Sequence, residues 1–149
     1  MSSSLENKCE SAVMAILAAT SGLTTFSIVH KDEDEQAEKN RIVVNAHTYE
    51  TALQGINAGR IKVFRVPISI ELYYVTRDEA AYDTIISAIN GALLTACAGQ
   101  IPDAAAVAWI ASFGSLTNAS LEQTDEGEDE TDSNTRTRTK PFHFLVLNV

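Results

Sequence analysis

A chain of 149 residues that is 45% hydrophobic can bury a core of its own and is too apolar to remain disordered, so one domain is expected. Its net charge of −9 excludes a generic binder of the nucleic-acid backbone, which needs clustered bases to neutralise phosphates. That charge leaves room for a protein that surrounds nucleic acid without gripping it.

The opening MSSSLENKCE lacks the basic region of a signal peptide. No run approaches the roughly 18 apolar residues of a membrane span, so a cytoplasm is the expected compartment and no membrane partner is expected. Residues 5 to 19 read as a helix. Leu5, Cys9, Val13, Met14, Ile16 and Leu17 recur at helical steps, and Glu6, Lys8 and Glu10 fall outside them. Ser4 is the expected N-cap and Gly22 the terminator. Leu23 to His30 and Arg41 to His47 read as two strands of a hairpin, joined by the charged connection KDEDEQAEKN. Tyr49 to Asn57 fits a short helical turn, and Asn57-Ala58-Gly59 a chain reversal.

The next stretch organises the rest. In RIKVFRVPISIELYYVT, Arg60 to Thr76, the residues Val66, Ile68, Ile70, Leu72 and Tyr74 alternate with Pro67, Ser69, Glu71, Tyr73 and Val75. Period-2 alternation of β-branched and aromatic residues predicts a strand with one buried face. Pro67 donates no backbone hydrogen bond, which suggests an edge or a bulge. Ile61 and Val63 lie out of phase with Val66, which also suggests a bulge between Arg65 and Pro67.

Asp78 to Ala96 gives the clearest helix, with Tyr82, Ile85, Ile86, Ile89 and Leu93 on one face. Thr76 and Glu79 have capping-box spacing. Gly91 suggests close packing on a neighbour, and Gly99 with Pro102 ends the helix. Asp103 to Phe113 fits a helix capped by Asp103, with Val107, Ile110, Trp109 and Phe113 at helical steps. It also fits a strand, because Val107, Trp109, Ala111 and Phe113 alternate. Residues 116 to 125 and 135 to 148 read as a final hairpin. Its PFHFLVL strand is apolar on both faces and so belongs inside the sheet. Together these elements predict a single α+β domain: a mixed, mostly antiparallel β-sheet with two or three helices packed on it, and a charged hairpin protruding at about 121–140.

Little in the chain points to catalysis. His30, His47 and His143 lie in or beside strands without partners at recognisable spacing, and no GxSxG, GxxxxGK[ST] or GxGxxG occurs. Cys9 and Cys97 read as reduced core residues, and two cysteines without nearby histidines make no zinc site. The acidic run Glu122 to Asp132 places Gly127 after Glu126, but its spacing is wrong for a calcium loop. No enzymatic role, metal or cofactor is therefore expected. The run reads as a solvated hairpin tip, and Arg136, Arg138 and Lys140 follow it on one strand face. This layout makes Glu126, Glu128, Asp129, Glu130, Arg136, Arg138 and Lys140 a candidate assembly interface. The three bases share phase with Phe142 and Phe144, so without a bulge near Pro141 one face runs from core to arm.

The ordered pattern covers most of the chain: an apolar N-terminal helix, RIVVNA, the extended VPISIELYYV, the helix DEAAYDTIISAINGAL, then a charged hairpin leading into RTRTKPFHFLVLNV. In this order it resembles the tail-terminator, or tail-completion, proteins of long-tailed bacteriophages, and related neck proteins joining head to tail. The segment Asp103 to Phe113 departs from the simplest version. The resemblance implies a mixed sheet with packed helices and no catalytic residues. It implies a homo-oligomeric ring, usually a hexamer, in the virion tail or neck. Its partners would be the tail-tube protein and the head-connector protein, and DNA would pass through the lumen without specific binding. The alternatives are another neck or tail-tube ring protein, or a small α+β ligand-binding domain or enzyme.

Overall fold

The computed structural model describes residues 4–31, 40–56, 61–76, 78–114, 116, 119–123, 128–132 and 135–147. The fold is α+β, with a mixed, mostly antiparallel sheet and three helices. In chain order the elements are α1 (Leu5–Ala18), β1 (Ser27–His30), β2 (Arg41–Ala46), β3 (Glu50–Ile56), β4 (Ile61–Val75), α2 (Glu79–Cys97), α3 (Asp103–Phe113), β5 (Ala119–Gln123), β6 (Glu128–Asp132) and β7 (Thr135–Leu147).

The spine is the antiparallel pair of β4 and β7, in unbroken register from Val63 opposite Leu147 to Val75 opposite Thr135. Across the sheet the order is β1-β2-β4-β7-β5, with β3 also pairing β4 and β6 also pairing β7. The core lies between one sheet face and the helices. Ile42 and Val44 of β2, Val66, Ile68, Ile70 and Leu72 of β4, and Phe142, Phe144 and Val146 of β7 meet the buried faces of α1, α2 and α3.

The long alternating strand is therefore present, but Pro67 marks neither an edge nor a bulge. β4 is central, and its register with β7 passes Pro67 without a shift. The irregularities lie in the pairing of β3 with β4, between Thr51 and Leu53 and between Leu53 and Ile56. The buried phase continues backwards through Phe64, which packs on the core. Pro67 is tolerated because of where its nitrogen points. The Pro67 carbonyl accepts the His47 amide at 2.8 Å, so the missing N–H also faces that side. That side is the gap between β2, which ends at Ala46 opposite Ile68, and β3, which begins at Glu50 opposite Arg65. Alternation along the ladder gives Pro141 the same solution, in the gap between Gln123 opposite Phe142 and Glu128 opposite Thr139. Each proline of the spine thus stands where a flanking strand is interrupted, and no ladder bond is lost.

Other expectations change. β1 is shorter than Leu23 to His30, since Ser21–Leu23 is a 3-10 turn. β1 and β2 form no hairpin; they run parallel, with Ser27 opposite Arg41 and His30 opposite Val44. Tyr49 to Asn57 is no helical turn, because Glu50–Ile56 is strand, held by pairing to β4 over local preference. The reversal at 57–59 lies outside the described residues.

α1 begins as expected, with the Ser4 hydroxyl accepting the Asn7 amide at 3.2 Å, but it ends at an Ala19 cap, and Gly22 belongs to the 3-10 turn. α2 is capped by Asp78, not by the Thr76–Glu79 box. Asp78 Oδ1 accepts the Ala80 amide at 3.0 Å, while Thr76 Oγ1 accepts the Asp78 amide at 3.1 Å. The helix closes at Gly99, whose φ of 85° suits a residue without Cβ. The Gln100 amide donates to Thr95 and the Gly99 amide to Ala96, the paired bonds of a Schellman motif. The expected face of Tyr82, Ile85, Ile86, Ile89 and Leu93 is buried.

Gly91 has nothing within 4 Å of the position a Cβ would take, so it marks no close approach. Gly91→Ala is expected to stabilise the protein by about 0.5–1 kcal/mol through lower unfolded-state entropy and higher helix propensity, read as a raised midpoint in urea.

The segment 103–113 is helix. Its N-cap is Pro102, and Asp103 is the first helical residue. The buried stripe is Ala105, Trp109 and Phe113, while Val107 and Ile110 face outward. Both faces of α3 are apolar, which is why helical and alternating patterns fitted equally well.

Candidate functional site

The charged hairpin is a built part of the sheet. Glu128, Asp129 and Glu130 belong to β6, a strand paired with β7, while residues 124–127 and 133–134 of the expected tip lie outside the described residues. Arg136, Arg138 and Lys140 belong to β7, and Glu126 lies outside the described residues. The ladder sets Asp129 opposite Arg138 and Thr131 opposite Arg136, so an acidic and a basic position share a register row at Asp129. On its other side β7 keeps β4 as partner: Ile70 opposite Lys140, Leu72 opposite Arg138, Tyr74 opposite Arg136. The hairpin is laid along β4 and not beyond it. There is no bulge at Pro141, and the basic positions share register phase with buried Phe142 and Phe144, as the spacing predicted. Arg138, in the same row as buried Leu72, is half-buried.

Among the described residues β6 pairs with β7 alone, which leaves it at the edge of the sheet. The sequence EDETD places four acids on that edge strand. Charge on an edge discourages edge-to-edge pairing with another copy and favours a basic partner.

Three polar arrangements escaped the sequence reading. The first joins α1 to the ends of β1 and β2. Glu10, read as outward-facing, is buried. Its Oε2 meets His30 Nδ1 at 2.5 Å, and its Oε1 accepts the Ala46 amide at 2.9 Å. β1 stops at His30 opposite Val44, so the Ala46 amide has no β1 partner, and the Glu10 carboxylate takes that place. Glu10→Ala leaves both donors without their acceptor and should cost about 1–3 kcal/mol. Glu10→Gln keeps an oxygen for Ala46 and should cost less; urea melts of the two variants compare them.

The second arrangement lies on the sheet face away from the helices. The Arg41 guanidinium stacks 3.9 Å from the Tyr73 ring centroid. The Tyr73 hydroxyl donates to Glu71 Oε2 at 2.8 Å, and Lys31 Nζ lies 3.4 Å from the same oxygen. On this face His47 Nε2 also meets Ser69 Oγ at 3.0 Å. A hydroxyl and an imidazole at that distance are the first two members of a nucleophile–base set. Both side chains are hydrogen-bonded on an exposed surface. The three histidines are not brought together: His30 bonds Glu10, His47 bonds Ser69, and His143 stands opposite Pro67.

The third is a cleft of about 360 Å³ at the start of α1, lined by Ser4, Leu5, Glu6, Lys8, Tyr49 and Phe64. Tyr49 meets Phe64 edge-to-face at 5.2 Å, and the Tyr49 amide donates to Glu6 Oε1 at 3.3 Å.

Cys9 is buried, and burial together with the charges of Glu6 and Glu10 pushes its thiol well above the ordinary range. It stays protonated at neutral pH and serves as a small core residue. Among the described residues, no group of three or more His, Cys, Asp or Glu side chains is placed to hold a metal ion. Comparison with models of known protein families finds no match, and neither does comparison with curated protein sequences.

Proposed function

We propose that this chain is a virion structural protein of the tail-terminator kind, forming a ring that caps a phage tail tube and joins it to the head connector. The observation that carries the reading is the β6–β7 hairpin. Its acidic edge strand is backed by basic positions and rooted through Phe142, Phe144 and Val146 in the core. A charge-segregated edge suits register-setting contact with a partner of opposite charge. The net charge of −9 suits a lumen through which DNA slides without adhering. The mixed sheet with packed helices is the architecture that the resemblance implies.

Because β6 is a paired strand, removing it would disturb the sheet, and charge substitution is the cleaner test. Asp129→Asn with Glu130→Gln should leave the melting temperature nearly unchanged. The same double variant should weaken joining to tail tubes, scored by co-sedimentation, with the contrast greatest at low salt. Equal co-sedimentation of variant and parent at all salt concentrations would remove the hairpin from the interface.

The Tyr49–Phe64 cleft favours a second reading, a small ligand-binding α+β domain. A ligand that protects the Tyr49 ring and raises the melting temperature of the parent, but not of Tyr49→Ala, would favour it.

A further inference from the structure

α3 has two apolar faces, and the fold uses one of them. Ala105, Trp109 and Phe113 are buried, whereas Ala104, Val107, Ile110, Ala111 and Gly114 are exposed, Val107 at 74% and Ile110 at 45%. Leu116, just past the helix, is exposed at 46%. A helix that is apolar all round is ordinarily enclosed on all sides. The outer stripe holds no charge after Asp103 in the first turn.

The charge map narrows what can cover it. From Thr84 to Leu121 the only charged residue is Asp103, so nearly all the charge of a −9 chain lies elsewhere. From Asp78 to Thr135 there is no Lys or Arg at all. Within this stretch of chain an anionic membrane surface or a nucleic acid therefore meets no basic side chain, and in sequence acids flank the stretch on both sides. A basic partner finds only Asp103. Two copies of a strongly acidic chain repel each other over most of their surfaces, and contact between them is least opposed where charge is missing. Small residues at 104, 111 and 114 around the protruding Val107 and Ile110 also give relief for close packing.

We propose that the outer face of α3 is an interface with a second copy of this chain. The proposal rests on the reading of the chain as a self-assembling protein but needs neither a tail nor a given subunit number. Sedimentation velocity over a range of protein concentrations tests it, on the parent, Val107→Glu and Ala111→Trp. Both substituted positions are exposed in the single chain, so both variants should melt like the parent.

The expected result is a parent that self-associates, and variants whose dissociation constant rises by about 100-fold or more, as for a charge or bulk forced into an apolar contact. Two variants that associate as the parent does would overturn the interface and leave the ring reading standing. A parent that stays monomeric throughout would overturn it as well, while capping of tail tubes would still test the tail reading. A parent that binds vesicles of uncharged phosphatidylcholine through Val107 without self-associating would overturn it in favour of lipid.

Discussion

Ile70→Asp is expected to unfold the protein. Ile70 is 1% exposed, between Val44 of β2 and Lys140 of β7, on the face covered by helices. The substitution removes a buried aliphatic side chain, worth about 2–5 kcal/mol, and leaves a carboxyl group where no partner was provided. Together these exceed about 5 kcal/mol, the lower end of the stability of a domain this size. Circular dichroism in water should show loss of the cooperative melt. A parent-like melt would mean that the even-numbered face of β4 is not the core. Glu71→Gln, one residue away on the polar face, provides the contrast. It weakens the contacts to Tyr73 and Lys31 and should cost less than about 1.5 kcal/mol.

Trp109→Ala should produce the second large loss, about 3–5 kcal/mol. Trp109 is 1% exposed and is the anchor of α3, with ring centroids 5.5 Å from Phe113 and 5.2 Å from Phe144. These contacts tie a low-charge helix to β7, so truncation should loosen α3 before the rest. Trp109→Phe separates packing from hydrogen bonding. Among the described residues the indole nitrogen has no hydrogen-bond partner, so replacing the ring gives up no such bond while keeping an aromatic in the cluster. It should cost under about 2 kcal/mol. Urea titrations of both variants measure the difference, and a Phe variant as unstable as the Ala variant would contradict the packing account.

What could be read in the sequence was whatever one periodicity decided. The alternation from Val66 to Leu72 and the stripe from Tyr82 to Leu93 each admit one buried face, and both are in the core. What escaped depended on neighbours distant in the chain. Nothing local makes β1 and β2 parallel; β1 is placed as the strand beyond β2 by pairing across the sheet. Glu50–Ile56 is strand because β4 extends past β2 and offers a free edge there. Pro67 misled because the rule for prolines assumes a flanking strand without a break. Glu10 misled because a carboxylate at an outward helical position can still be drawn in to satisfy an amide at a ladder's end. The acidic run was read as a tip because charge suggests solvent, yet an edge strand also needs charge, and its partner β7 was already rooted in the core. The charged positions themselves were legible, and the layout of an acidic run followed by bases on one strand face is what made them a candidate assembly surface.

The central claim, that copies of this chain close into a ring around a channel, is tested most directly by negative-stain electron microscopy of the purified protein with two-dimensional class averaging. The account predicts annular particles with a stain-filled central hole, carrying a repeating number of subunits, six on the family expectation. Compact particles without a hole, with a solution mass of one 16.1 kDa chain at every concentration tried, would contradict it.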